Sequence, residues 1–183
     1  MTDRSRHAGA GHRLFFGLWP GDEVRAALAQ ALDASALLRD AGRRVSPAKY
    51  HITLHFLGGW ATLPHDVLER ASGAAATLRC APFHLVVERA GGFHGARVGW
   101  LAPSGNSGLD ALWSDLRRAL DEAGVRYRAH EPFAPHVTVA RNVRGRLEEA
   151  SVDPISWPVE DFVLVHSHDG RYDIVGCWPL APR

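Results

Sequence analysis

The sequence predicts an α+β fold built in two similar halves, and three observations carry that prediction. Short apolar runs rich in β-branched residues alternate with longer stretches of helical spacing, so strands and helices are mixed along the chain. One pattern occurs twice, as His51-Ile-Thr-Leu-His-Phe-Leu-Gly58 and, 85 residues on, as His136-Val-Thr-Val-Ala-Arg141. No linker or low-complexity segment divides the 183 residues, a length that suits one domain or two small lobes on one chain.

Composition narrows the function classes. A net charge of +1 argues against a broad nucleic-acid-binding field. Lys49 is the only lysine among the basic residues; the skew toward Arg reads as coding bias more than as a phosphate-gripping device. Cys80 and Cys177 have neither disulfide-framework nor metal-type spacing and are expected as buried thiols in a reducing compartment. No apolar run approaches transmembrane length. Residues 1–12 lack a signal-peptide core, so a flexible tail is expected there, followed by a single domain over 13–183 in a cytoplasmic protein.

The elements follow in order. Arg13-Leu-Phe-Phe-Gly-Leu-Trp-Pro20 is a strand ended by Pro20. Asp22 is expected to cap a helix to about Ala36, with Val24, Ala27, Leu28, Ala31 and Leu32 on one side. Arg39 to Lys49 is a polar connection whose Arg43, Arg44 and Lys49 are either solvated or in reach of a backbone phosphate. Pro64 starts a helix through about Leu78. Phe83 to Arg89 is an alternating strand, Ala90-Gly-Gly-Phe-His-Gly a turn, and Arg97 to Pro103 a second strand. Ser107 or Asp110 opens an amphipathic helix with Leu109, Leu112, Trp113, Leu116 and Leu120 on one side, stopped by Gly124. A polar stretch covers Asn142 to Asp153. Glu160–His168 and Arg171–Leu180 are strands around Asp169-Gly170, a tight-turn signal.

The repeated pattern carries the chemistry. Side chains of a strand alternate between faces, so His51 and Thr53 share one face, with Ile52 and Leu54 on the other. His136 and Thr138 likewise oppose Val137 and Val139. Two such strands facing one cleft supply two acid–base groups and two hydroxyl donors, a set suited to phosphate esters. The structural alternative is a pair of buried strands whose histidines satisfy backbone groups. Strict alternation places His55 with His51, Phe56 on the core face, and Arg141 opposite His136 unless the strand end bends.

On these residues the chain resembles the two-histidine (2H) phosphoesterases, in particular the bacterial RNA 2′,3′-cyclic phosphodiesterase branch described as 2′-5′ RNA ligase-like. The resemblance rests on Arg13-Leu-Phe-Phe-Gly-Leu-Trp-Pro, the His51 motif, Phe93…Arg97-Val-Gly-Trp-Leu, Pro132-Phe-Ala-Pro-His-Val-Thr-Val-Ala-Arg141 and the closing Tyr172…Trp178-Pro-Leu. It implies two pseudo-symmetric antiparallel β-sheet lobes with helices outside and a central cleft between the motif strands. It implies His51 and His136 as the catalytic pair; His51 is expected as acid on the 3′ oxygen and His136 as base on water, an order the motif fixes less firmly than the pair. Thr53, Thr138 and Arg141 are implied at the phosphate and Phe93 at the base, with RNA ends or nucleotides bearing a 2′,3′-cyclic phosphate as partners. It further implies a 2′-phosphate product, no cofactor, no metal, no membrane, and a monomer.

Several residues stay open at this level. Phe93 and Trp100 could each stack a base or pack in a core, with the core favoured for Trp100. His166 and His168 form a strand-borne His-x-His that can bind metal, yet no carboxylate or cysteine set accompanies it along the sequence. The rival functions are a 2′-5′ RNA ligase or another cyclic phosphodiesterase, a non-catalytic module binding RNA ends, and a zinc hydrolase built from His51, His55, His136 and His166.

Overall fold

The computed structural model describes residues 11–128 and 132–181. Along the chain run β1 (His12–Leu18), α1 (Asp22–Ala34), β2 (Arg43–Arg44), a 3₁₀ turn (Pro47–Lys49), β3 (Ile52–Trp60) and α2 (His65–Ala76). They are followed by β4 (Phe83–Phe93), β5 (Val98–Pro103), α3 (Ser107–Glu122), β6 (Val137–Arg141), β7 (Ala150–Val159), β8 (Asp161–His168) and β9 (Arg171–Pro179). The tail expected over 1–12 lies outside the described residues as far as residue 10, and His12 already belongs to β1.

Among the described residues the strands form one antiparallel sheet in the order β7-β4-β5-β6-β3-β1-β8-β9, with β2 paired to β6. Each half has the same plan: a motif strand, β3 or β6, lies innermost, and three strands extend outward from it. Among the described residues β3 and β6 pair at Ile52 with Val137, where the two halves of the sheet meet. One continuous core lies between the sheet and the helices, fed by Leu28 and Leu32 of α1, Ala71, Ala74 and Ala75 of α2, and Leu109, Leu112, Leu116 and Leu120 of α3. The helical spacing read from the sequence thus points each apolar stripe at the sheet.

Several local expectations change. Gly21, with extended backbone, is the N-cap of α1, and Asp22 is its first helical residue, bonded through its carboxylate to Arg25 at 2.6 Å. Asn106 caps α3 by accepting from the Leu109 amide at 3.0 Å. Ala90 to Phe93 is not a turn; β4 runs through it in register with β5, and the chain reverses at His94–Arg97. Gly91 is there because the Trp100 indole lies across it: a Cβ would come within 2.6 Å of the ring. The polar stretch before Asp153 gives way to β7 from Ala150, an edge strand whose Pro154 and Pro158 are tolerated because one side of it pairs with no neighbour. Cys80 is only partly buried and Cys177 is exposed on the edge strand β9, against the expectation of two buried thiols.

The largest departure from simple alternation lies in the motifs. Phe16 pairs with His55 and Gly17 with Thr53, so Leu54 is an extra, bulged residue. Gly99 pairs with Ala140 and Trp100 with Thr138, so Val139 is bulged in the same way. Both bulges fall three residues after the motif histidine. Each turns two successive side chains toward the core and reverses the parity beyond. His55 is therefore buried on the helix side, 2% exposed, and not beside His51. Phe56 packs on the opposite face against Phe15, Val163 and Val165, the reverse of its expected core placement. In the second motif the same reversal carries Arg141 to the face of His136.

Helix α3 holds the first bulge in place. The Trp113 indole N–H donates to the Leu54 carbonyl at 3.1 Å, while His55 Nε2 donates to the Trp113 carbonyl at 2.9 Å with the two rings stacked. Replacing Trp113 by Phe keeps the ring and leaves the buried Leu54 carbonyl unpaired. We expect a loss of about 1–3 kcal/mol in denaturant unfolding, with no change in secondary-structure content by circular dichroism.

Candidate active site

Antiparallel pairing about Ile52 and Val137 decides what stands next to what. Continuing that register places His51 across from Thr138 and Thr53 across from His136. Ile52 and Val137 are fully buried toward the helices, whereas Thr53 and Thr138 are half-buried on the opposite face with the two histidines. The repeat thus becomes one constellation of two imidazoles and two hydroxyls related by a local twofold through the Ile52–Val137 pair.

Both imidazoles are held alike. His51 Nδ1 lies 2.7 Å from the Lys49 carbonyl and His136 Nδ1 lies 2.8 Å from the Ala134 carbonyl, each two residues upstream. A carbonyl oxygen only accepts, so Nδ1 carries the proton in each ring and Nε2 keeps the basic lone pair. Pro47 and Pro135 introduce the two segments that present these carbonyls.

The surroundings of the two rings differ. His51 is enclosed by aromatic rings: Trp19 stacked at 5.6 Å, Phe15 at 4.8 Å and Tyr172 edge-on at 5.6 Å. Burial there pushes its pKa down from 6.5 to about 4; the Lys49 carbonyl works against that shift, and the nearby His136 and Arg141 add to it. His136 meets Phe93 edge-on at 4.8 Å, and Phe93 in turn packs on the buried Trp100. Phe93, expected in a turn, is the last residue of β4 and so is rigidly placed.

A cavity of about 280 Å³ opens beside His51, lined by Arg43, Arg44, Val45, Ser46, Lys49, Thr138, Arg141 and Tyr172. Four cationic side chains around one imidazole and one hydroxyl suit an anionic ligand of phosphate size. Arg44 is partly spent on an ion pair with Asp33, and Lys49 lies over the Tyr172 ring at 5.4 Å. A larger groove of about 680 Å³ near Trp19 is bordered by Asp22, Glu23, Glu160 and Asp161, whose charge repels a phosphate.

Of the residues singled out in the sequence, His51, Thr138 and Arg141 meet at this cavity, and Thr53, His136 and Phe93 lie across the strand pair. His55 and His166 do not join them, because both sit on the far face of the sheet; the four-histidine zinc arrangement is thereby ruled out. Sequence reasoning missed the aromatic enclosure of Phe15, Trp19 and Tyr172. The available signal was the unbroken apolar run Leu14-Phe-Phe-Gly-Leu18, since a strand covered on both faces loses its alternation.

The depressed pKa of His51 couples to stability. The unfolded chain binds a proton near pH 6.5, while the folded chain resists it to about pH 4. Stability is therefore full above about pH 6.5 and declines as pH falls toward 4, by as much as about 3 kcal/mol from this group. Denaturant unfolding across that range, repeated on His51→Gln, is expected to show a shallower decline in the variant.

Comparison with known proteins agrees with this geometry. A sequence model of the 2′-5′ RNA ligase superfamily matches residues 20–171. The RNA 2′,3′-cyclic phosphodiesterase of Thermus thermophilus is 33% identical over 168 residues, covering 85% of this chain and 81% of that protein. The Escherichia coli protein of the same name is 29% identical over 164 residues, covering 87% and 89%. The crystal structure of E. coli LigT complexed with 3′-AMP superposes with a TM-score of 0.79 at 28% identity, covering 92% of this chain and 98% of that one. A bilobal sheet with a twofold pair of His-x-Thr strands, matched over most of its length, places this chain in the 2′-5′ RNA ligase superfamily, among the two-histidine phosphoesterases.

Proposed function

We propose that the chain opens RNA 2′,3′-cyclic phosphate ends to 2′-phosphomonoesters, with His51 and His136 as its acid–base pair. The observation that carries this reading is the pair itself. Two imidazoles stand at the starts of adjacent strands, each with Nδ1–H tied to a carbonyl and Nε2 left basic, and His51 lines a cavity rich in arginine. The relatives that bear the name of this activity support it.

The reaction follows from these groups. Water attacks phosphorus, the bond from phosphorus to the 3′ oxygen breaks, and the ring strain is released. One imidazole takes the water proton while the other delivers a proton to the departing 3′ oxygen. Thr53 and Thr138 donate to the non-bridging oxygens as charge grows on them, and Arg141 offers its planar fork to the same group. Phe93 gives an aromatic face to the terminal base. Two histidines and an arginine supply the protons and charge the step needs, so the scheme requires no metal. The partner is an RNA end or a nucleotide; a monomer working in the cytoplasm fits the reading, and among the described residues no helix is long and apolar enough to cross a membrane. The superfamily's description favours one second reading, in which an RNA 5′ hydroxyl replaces water and a 2′-5′ linkage forms.

A short RNA ending in a 2′,3′-cyclic phosphate, incubated in EDTA, is expected to yield the 2′-phosphate. His51→Ala and His136→Ala should each lose about 10²–10⁴-fold in rate, or roughly 3–5 kcal/mol of barrier, while remaining folded. A 3′-phosphate product, or variants of near-normal rate, would refute the assignment; RNA bound without turnover would leave a binding module.

The pH dependence of kcat/KM, which reports the free enzyme, separates the roles of the two histidines. With His51 as base, kcat/KM falls on the acid side with a pKa of about 4. With His51 as acid, the order the resemblance implies, kcat/KM declines above that pKa. The substrate phosphate must then raise the imidazole's pKa for kcat to persist to neutral pH.

A further inference from the structure

On the face of the sheet turned away from the cleft, three neighbouring strands of the first half bring imidazoles and a carboxylate together. His12 of β1 pairs with His168 of β8, and His166 of β8 pairs with Asp173 of β9. His12 Nδ1 lies 2.8 Å from His166 Nε2, and His168 Nε2 lies 2.6 Å from Asp173 Oδ2. The His166 and His168 rings are stacked at 4.4 Å, with His12 stacked at 5.0 Å from His166. His166 is buried, 7% exposed. Ligand atoms of His166, His168 and Asp173 all fall within 4.8 Å of one another. Asp173, five residues beyond His168 in the sequence, is brought alongside His166 across the β8–β9 pair.

Three imidazoles stacked ring on ring, with a carboxylate against one of them, bring nitrogen and oxygen donors to one place. Imidazole nitrogens with one carboxylate suit a borderline transition ion and do not suit Mg²⁺ or Ca²⁺, which prefer oxygen ligands. Zinc ligands stand about 2.0–2.2 Å from the ion, and donor atoms within 4.8 Å of one another are close to the spacing that two such bonds span.

We propose that His166, His168 and Asp173 bind a zinc-type divalent ion, with His12 as the fourth donor. The site lies apart from the cleft and does not rest on the phosphodiesterase reading. It ties together the strands that hold Phe15 and Tyr172 against His51. Its effect is therefore on the stability of that wall and not on the chemistry. Mechanistically it is a staple, holding through metal bonds what strand pairing holds through the backbone.

The test uses the full, untagged chain, stripped with chelator and titrated with Co²⁺ by visible absorption and with Zn²⁺ by chelator competition. One ion per chain should bind, with d–d bands of low coordination number and a rise in the thermal midpoint on adding Zn²⁺. Asp173→Asn, which preserves shape, and the double variant His166→Gln/His168→Gln should each weaken binding by at least about tenfold and lose the thermal rise. His51→Ala should bind as the wild type does. Circular dichroism identifies a misfolded variant, and Asp173→Asn then carries the test. Absence of binding to the wild-type chain, or equal affinity in the folded variants, would overturn the proposal.

Discussion

Among the described residues one strand pairing, Ile52 with Val137, joins β3 to β6, and the site depends on it. The residues on either side of that pair are the two motif histidines and their threonines. A slip of either strand by one residue would turn that strand's histidine and threonine toward the helices and its apolar residues toward the cleft. Burial of Ile52 and Val137 is what forbids the slip. The local twofold is thus a consequence of antiparallel pairing between two copies of one pattern.

The paired bulges extend this logic. Each adds a residue three places after the histidine, so each strand turns two successive side chains toward the core and then returns one to the cleft. In the first half that returning side chain is Phe56, which closes an aromatic cluster; in the second it is Arg141, which faces the anion cavity. One backbone device therefore yields a hydrophobic wall on one side and a cationic group on the other. The asymmetry of the site comes from side chains placed on a symmetric frame.

That asymmetry sets the electrostatics. His51 sits among Phe15, Trp19 and Tyr172, where a charge is poorly solvated, so its pKa falls well below that of an ordinary imidazole. The wall belongs to β1 and β9 and to the segment after β1; those two strands, with β8 between them, also carry the His12, His166, His168 and Asp173 cluster on their far side. Rigidity of the outer sheet and the acid–base character of the cleft are linked through those strands.

Strands β2 and β7 were not legible in the sequence, whereas the duplicated His-x-Thr pattern, the three helices and most of the strands, the apolar faces of α1 and α3, and the Asp169-Gly170 turn were. Each is written in local spacing or backbone preference; Asp169 and Gly170 both adopt the positive φ that their turn requires. The bulges at Leu54 and Val139 were not legible, because an extra residue is defined only against a partner strand. With them went the faces of His55, Phe56 and Arg141. Gly91 read as a turn residue until Trp100 was seen lying across it. That Asp173 stands beside His166 and His168 followed only from the pairing of β9 with β8. The sequence by itself determined which side chains are available to do chemistry. Tertiary structure alone decided which of them share a face, because that depends on register between segments far apart in the chain.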